Sequence, residues 1–268
     1  MESPFDDIAF LARSPNRVRV LAALSSGPHT RDDLRSTTDV SAVTVKRSVA
    51  DLLERGWAEE VAPAGGGRTY RTTRLGDHVL ADFSRLETTV RAAQRLGPVV
   101  EWLPEDLLDL DLRVFADAFV LDPDRYDPTA QLDRWLDLTR SAEHTTLVTN
   151  VVSEVLLDAY RDCIVDGGMR FEAVLSASAA DRVDASPRMR AWTREMLDTD
   201  RATLYRSEAS LPHVVGVFGD TVGVVATDDY GATRVGIESD AEAVREWARA
   251  TYERYRADAT PFVPTPDD

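Results

Sequence analysis

Residues 41–55 (SAVTVKRSVADLLER) constrain this chain more than any other stretch. Val45, Val49 and Leu52 fall on one helical stripe, and Ser41 stands at the N-cap position. A helix with a single apolar stripe docks by that stripe and leaves its opposite face open. Near the N-terminus of this helix the open face carries Ala42, Val43, Thr44, Lys46 and Arg47, small and basic groups of the kind that enter a DNA major groove. Lys46 is the single lysine among 268 residues.

The flanking residues supply the rest of a helix-turn-helix. A lead segment precedes a first helix that begins near Pro15 and ends at Gly27-Pro28. Thr30 caps a short helix running to about Thr37, with Asp32 and Asp33 where the helix dipole favours negative charge. Thr38-Asp39-Val40 makes the turn. Beyond the 41–55 helix, Gly56 stops the chain, and residues 57–61 and 68–73 read as a hairpin around a glycine-rich tip at 64–67. That hairpin is a wing, and it presents Arg68 and Arg71. Residues 75–96 form one long helix whose apolar positions Val79, Phe83, Leu86, Val90 and Ala93 make a narrow seam. Such a seam packs on its own domain or on a second copy, and the spacing alone leaves both open.

Gly97-Pro98 breaks the chain where its charge changes. Residues 1–96 hold 14 Lys+Arg against 13 Asp+Glu, whereas residues 97–268 hold 17 against 34, so the net charge of −16 belongs to the second part. An acidic chain is a poor nucleic-acid partner only if the acid lies at the interface. In the second part, strands are expected at 114–121, 145–149, 169–175, 203–206, 214–218, 222–227 and 233–237. Helices are expected at 129–141, 153–165, 187–197 and 240–256, the last capped by Ser239 or Asp240. A Pro-Asp-rich turn fills 122–128. This order implies a mixed sheet with helices on its faces. The expected architecture is an α+β winged helix over 1–96, an α/β domain over 97–259 and a disordered acidic tail over 260–268.

Catalytic groups are sparse. His29, His78, His144 and His213 lack metal-ligand spacing, and Lys46 lies in the DNA-reading helix, which excludes lysine chemistry elsewhere. Ser176 and Ser178 have no G-x-S-x-G frame. Gly65-Gly66-Gly67 sits between two strands, unlike a phosphate loop. The aspartate-rich run at 109–124 has no calcium-loop pattern. Cys163 alone permits no internal disulfide and no cysteine-based zinc site, so a reducing cytoplasm is expected. No apolar run is long enough to span a membrane, and no cationic leader opens the chain. No cofactor and no metal is expected. For a small-molecule effector pocket, the strand ends offer Thr149, Asn150, Ser153, Ser176 and Ser178, each of which also suits plain helix capping.

Residues 15–96 resemble the winged helix-turn-helix domains of ArsR-like and MarR-like regulators, through Ser41, Thr44, Val45, Arg47, Val49, Leu52, Arg55, Gly56 and Trp57 followed by the wing. The resemblance implies that residues 42–44, 46 and 47 lie near bases or phosphates and that Arg68 and Arg71 approach a minor groove or backbone. The cysteine or histidine pairs of metal-sensing ArsR proteins are missing. Residues 100–257 resemble the effector domain of archaeal methanogenesis-type regulators, through the strand at 222–229 and Glu246-Trp247-Ala248 with Tyr252, Tyr255 and Arg256. That resemblance implies a non-catalytic sensor. Thirty arginines beside one lysine, with abundant aspartate, match salt-loving archaea, although GC-rich coding also exchanges lysine for arginine. The expectation is a homodimeric transcription regulator binding promoter DNA and answering a small metabolite. The rivals are a winged helix that recruits a protein and a nucleotide or sugar enzyme with a winged helix attached.

Overall fold

The structure, a computed structural model, describes residues 3–61, 68–121, 130–227 and 233–266. The chain divides into two compact units, Met1–Thr88 and Thr89–Asp268. The boundary expected at 96/97 lies earlier because Ala92 and Leu96 are buried in the core of the second unit.

In the first unit, the lead segment is itself a helix, α1 (Pro4–Ala12). Ser3 and Asp6 form a reciprocal capping box and Pro4 takes the first position, where its missing N–H costs nothing. Its last turn buries Phe10, which meets Trp57 edge-on at 5.9 Å and lies between the guanidinium groups of Arg17 and Arg55, 4.2 and 3.8 Å from the ring centre. Then follow α2 (Pro15–Ser25), α3 (Arg31–Thr38) and α4 (Ala42–Glu54). Leu21, Leu24, Leu34, Val45, Val49 and Leu52 close the core between them. Asp39 makes the turn in the left-handed region at φ 54°, and Gly56, at φ 68°, ends α4. Strands β1 (Ala58–Val61) and β2 (Thr69–Thr72) pair antiparallel as the wing stem. The wing tip expected at 64–67 lies outside the described residues. Helix α5 (Arg74–Leu96) begins against the stem, where a Cβ on Gly76 would stand 2.0 Å from the Trp57 carbonyl oxygen, so only glycine fits.

In the second unit, α6 (Glu105–Leu108) lies between short 3-10 turns at Val100–Trp102 and Leu112–Phe115. The strand expected at 114–121 is only β3 (Phe119–Leu121). Asp111 accepts from the Arg113 N–H and turns the chain, and Phe115, Ala116 and Ala118 are buried without pairing in the sheet. The turn expected at 122–128 lies outside the described residues. Next come α7 (Ala130–Ser141), β4 (His144–Thr149), α8 (Glu154–Val165), β5 (Arg170–Ser176), α9 (Ala177–Ala185), α10 (Pro187–Leu197) and β6 (Ala202–Ser207). They are followed by β7 (His213–Phe218), β8 (Thr221–Thr227), β9 (Thr233–Ser239), α11 (Glu242–Ala257) and β10 (Thr260–Pro261).

Ten-to-three is the strand sequence across the sheet: β10-β6-β5-β4-β7-β8-β9-β3. Strands β4, β5 and β6 run parallel and the remaining pairings are antiparallel, the mixed sheet expected. Alternation along the strands builds two cores. Val148, Val215 and Val224 face α11, while Leu147, Val214 and Val225 face α7, α8 and α10. Two expectations fail at the C-terminal end. Helix α11 starts at Ala241 without a side-chain cap, because Ser239 is buried in β9 with its hydroxyl accepting from the Ala241 N–H. The tail is ordered through residue 266: β10 pairs with β6, Phe262 is buried and the Thr265 N–H donates to Asp184. Proline and acid signalled disorder there, but Phe262 supplies enough apolar surface to hold the segment down. Among the described residues no helix is long and apolar enough to cross a membrane.

Candidate functional site

Helix α4 is placed by both of its ends and by one face. Ser41 caps it, accepting from the Thr44 N–H at 3.3 Å, and Val45, Val49 and Leu52 are fully buried. Ser48 joins them on the buried side, a small residue that lets the neighbouring helix come close. The other face is free: Ala42, Val43, Lys46 and Arg47 are exposed, Val43 to 79%. Lys46 and Arg47 make no hydrogen bond or ion pair to any described residue, whereas Arg17 and Arg55 beside them pair with Asp51 and Asp7. Thr44 is half-buried and its hydroxyl lies 2.9 Å from that of Ser41, so it serves the cap.

The wing arginines are not free in the same way. The β1–β2 register sets Arg71 directly across from Glu59, where its Nε donates at 2.7 Å, and Arg68 lies 3.4 Å from Glu60. Both pairs are solvent-exposed. Two groups that sequence reasoning passed over lie nearby. His29 and Tyr70 exchange backbone hydrogen bonds at 2.8 Å, so the segment before α3 docks beside the wing stem. Arg31 and Arg35, one turn apart on α3, are exposed, and the Arg31 guanidinium lies 5.2 Å from the centre of the Tyr70 ring. Their i, i+4 spacing was the available signal.

The second unit holds a cavity of about 160 Å³ between the sheet and α7, α8 and α10, near the carboxyl ends of the parallel strands. Trp135, Leu147, Leu156, Tyr160, Phe171 and Met196 are among the residues of its apolar wall. Of the five residues proposed from sequence, Thr149 lines it. Asn150 stands beside it, donating from Nδ2 to Thr227, another lining residue. Ser153 and Ser176 are helix caps for α8 and α9, accepting from Leu156 and Ala179, and Ser178 lies 3.0 Å from the Ser176 hydroxyl. These three do not line the cavity. Burial raises the Tyr160 phenol to about 12, although the Trp135 indole donates to its oxygen at 3.0 Å, so this wall is neutral across ordinary pH.

Family models match both units: the HVO_A0261 N-terminal domain over residues 5–95, and the middle domain of the methanogenesis regulatory protein FilR1 over residues 128–258. The chain carries both of these domains, one in each unit. Among curated proteins there is no match to this chain. Among solved structures it is similar to TrmBL2, an archaeal chromatin protein with a novel mode of DNA binding, at 16% identity over 96% of this chain and 99% of that one, TM-score 0.43. A MarR family transcriptional regulator from Silicibacter pomeroyi shares 26% identity over 39% of this chain and 69% of that one, TM-score 0.30. Nuc, a phospholipase D family member from Salmonella typhimurium, shares 11% identity over 55% and 97%, TM-score 0.42.

Proposed function

We propose that this protein is a sequence-specific DNA-binding transcription regulator and not an enzyme, acting as a homodimer whose second unit answers a small molecule. The carrying observation is the free face of α4, with Lys46 and Arg47 unpaired beside the exposed Val43 on a helix whose other face is buried. A guanidinium with no partner among the described residues breaks no protein contact when it meets a guanine edge or a phosphate. Helix α5 supports the dimer: Val79 and Phe83 pack on the first unit's own core, whereas Leu86 and Val90 stay exposed. The effector acts by population shift, favouring one spacing of the two recognition helices, because a ligand binding both states equally changes nothing. The excess acid of residues 97–268 supports life in a salt-rich archaeal cytoplasm.

Genome-wide capture of DNA bound by the native protein, followed by footprinting, tests this reading. The expected result is a shared motif with half-sites separated by roughly 10 bp or a multiple of it. Enrichment without any common motif would overturn sequence specificity, and no enrichment would overturn DNA binding.

A further inference from the structure

The described wall of the cavity in the second unit is neutral. Among the described residues no Asp, Glu, Lys, Arg or His lines it, in a chain where 29% of residues are charged. An ionised ligand would leave water there without a counter-charge, a cost that apolar contact does not offset. A sugar would leave most of its hydroxyls facing leucine, valine and aromatic side chains.

The wall also contains polar atoms that the protein leaves unused. Thr193, on α10, is 0% exposed and its hydroxyl has no hydrogen-bond partner. That is not the habit of this chain. Buried helical Thr38 and Thr139 donate back to the carbonyls of Leu34 and Trp135 at 2.6 and 2.9 Å, the usual outlet for a threonine inside a helix. Gln131, on α7, lines the same cavity with both amide atoms buried and unpartnered, and Asn150 beside it has an unpartnered Oδ1. A buried polar group without a partner is costly, and three around one apolar cavity mark places where a ligand supplies the missing bond.

We infer that this cavity binds a small neutral molecule, one ring or a short chain in size, whose apolar body packs on Trp135, Leu156 and Met196 and whose single hydroxyl, carbonyl or amide group pairs with Thr193 or Gln131. The size follows from volume, since an apolar cavity of about 150 Å³ admits benzene. The inference deepens the effector half of the proposed function and rests on reading the second unit as the effector domain, but the site itself is tested without DNA.

Calorimetric titration of the full chain with benzyl alcohol, toluene and benzoate provides the test. Benzyl alcohol should bind at one site per chain, roughly tenfold more tightly than toluene and at least about a hundredfold more tightly than benzoate. One of two variants, Thr193→Val, which keeps the shape and removes the hydroxyl, or Gln131→Leu, should erode the preference for benzyl alcohol over toluene while leaving toluene binding in place. Leu156→Trp, which fills the cavity, should abolish binding of both. Benzoate binding as well as benzyl alcohol, selectivity unchanged in both polar variants, or no binding of benzyl alcohol up to its solubility limit would each overturn the inference. Should Leu156→Trp fail to fold, the two polar variants decide alone. Operator affinity is then measured with and without benzyl alcohol. Binding to the cavity with no change in operator affinity upholds the site and sinks the effector reading, whereas no binding sinks the site and leaves DNA binding standing.

Discussion

Arg47 and Arg71 are both exposed arginines of the first unit, yet they differ in what they must give up to meet DNA. Arg47 has no partner among the described residues, so replacing it by alanine removes nothing from the folded state. Its thermal stability should stay within about 0.5 kcal/mol of wild type, as for surface positions generally. If Arg47 reads a guanine bidentately, its loss costs about 1–3 kcal/mol per half-site. A two-fold dimer loses two such contacts, about 2–6 kcal/mol, or roughly 30-fold to 10⁴-fold in affinity. Arg71 is already bound to Glu59 at 2.7 Å, with side chains 52% and 44% exposed. An exposed pair of this kind is worth about 0–1 kcal/mol. Moving Arg71 onto a phosphate breaks it and leaves the Glu59 carboxylate facing the DNA. Arg71→Ala should therefore weaken binding much less than Arg47→Ala, and Glu59→Gln should strengthen it by releasing Arg71. Fluorescence anisotropy on the captured operator, at one fixed salt concentration, measures all three. Equal losses for the two arginine variants, or weaker binding by Glu59→Gln, would refute the assignment of DNA contact to α4 over the wing stem.

Leu86→Asp, on the exposed part of the α5 seam, should convert the dimer to a folded monomer in light scattering; a persisting dimer places the interface elsewhere. Two carboxylates stabilise the first unit until acid protonates them: Asp77 accepts from the Thr72 and Ser25 hydroxyls at 2.6 and 2.7 Å, and Asp33 from the Thr30 N–H and hydroxyl, which holds both below the usual 3.8. A lowered folded-state value means stabilisation that is complete above pH 3.8 and is lost as pH falls through the folded value. Melting temperature against pH should accordingly fall less steeply in acid for Asp77→Asn than for wild type, and identical acid limbs would dismiss the role given to this carboxylate. Operator affinity of the full chain should depend weakly or even positively on potassium chloride, because salt screens repulsion between DNA and the acidic second unit while counterion release pulls the other way. A steep negative slope, about −0.9 per phosphate neutralised, would reduce the acidity to a solubility feature.

The elements that local chemistry specifies were legible in the sequence. Thr30, Ser41 and Gly56 bound their helices through interactions within four residues, and Val45, Val49 and Leu52 fix the buried face of α4 by period alone. What depends on register or distant partners was not. Alternating apolar residues at 114–121 looked like a strand, but Phe115 and Ala118 are buried by turns packed against the sheet. The tail carries every local sign of disorder and is held by pairing with β6 and by burial of Phe262. Glu59 meets Arg71 only through the hairpin register. The cavity escaped for the same reason. Its lining comes from helices and strands far apart in the chain, and Thr193 or Gln131 reads like any other helical polar residue until the neighbours that fail to bond it are in place. Strand ends did point to Thr149 and Asn150, whereas Ser153 and Ser176 follow the simpler logic of capping.

Sequence specificity is the central claim, and the affinity ratio between the captured operator and a scrambled duplex of equal length, at one salt concentration, tests it most directly. The account predicts a ratio of at least about 10³, with most of it lost in the Lys46→Ala, Arg47→Ala double variant. Equal affinity for the two duplexes would contradict it.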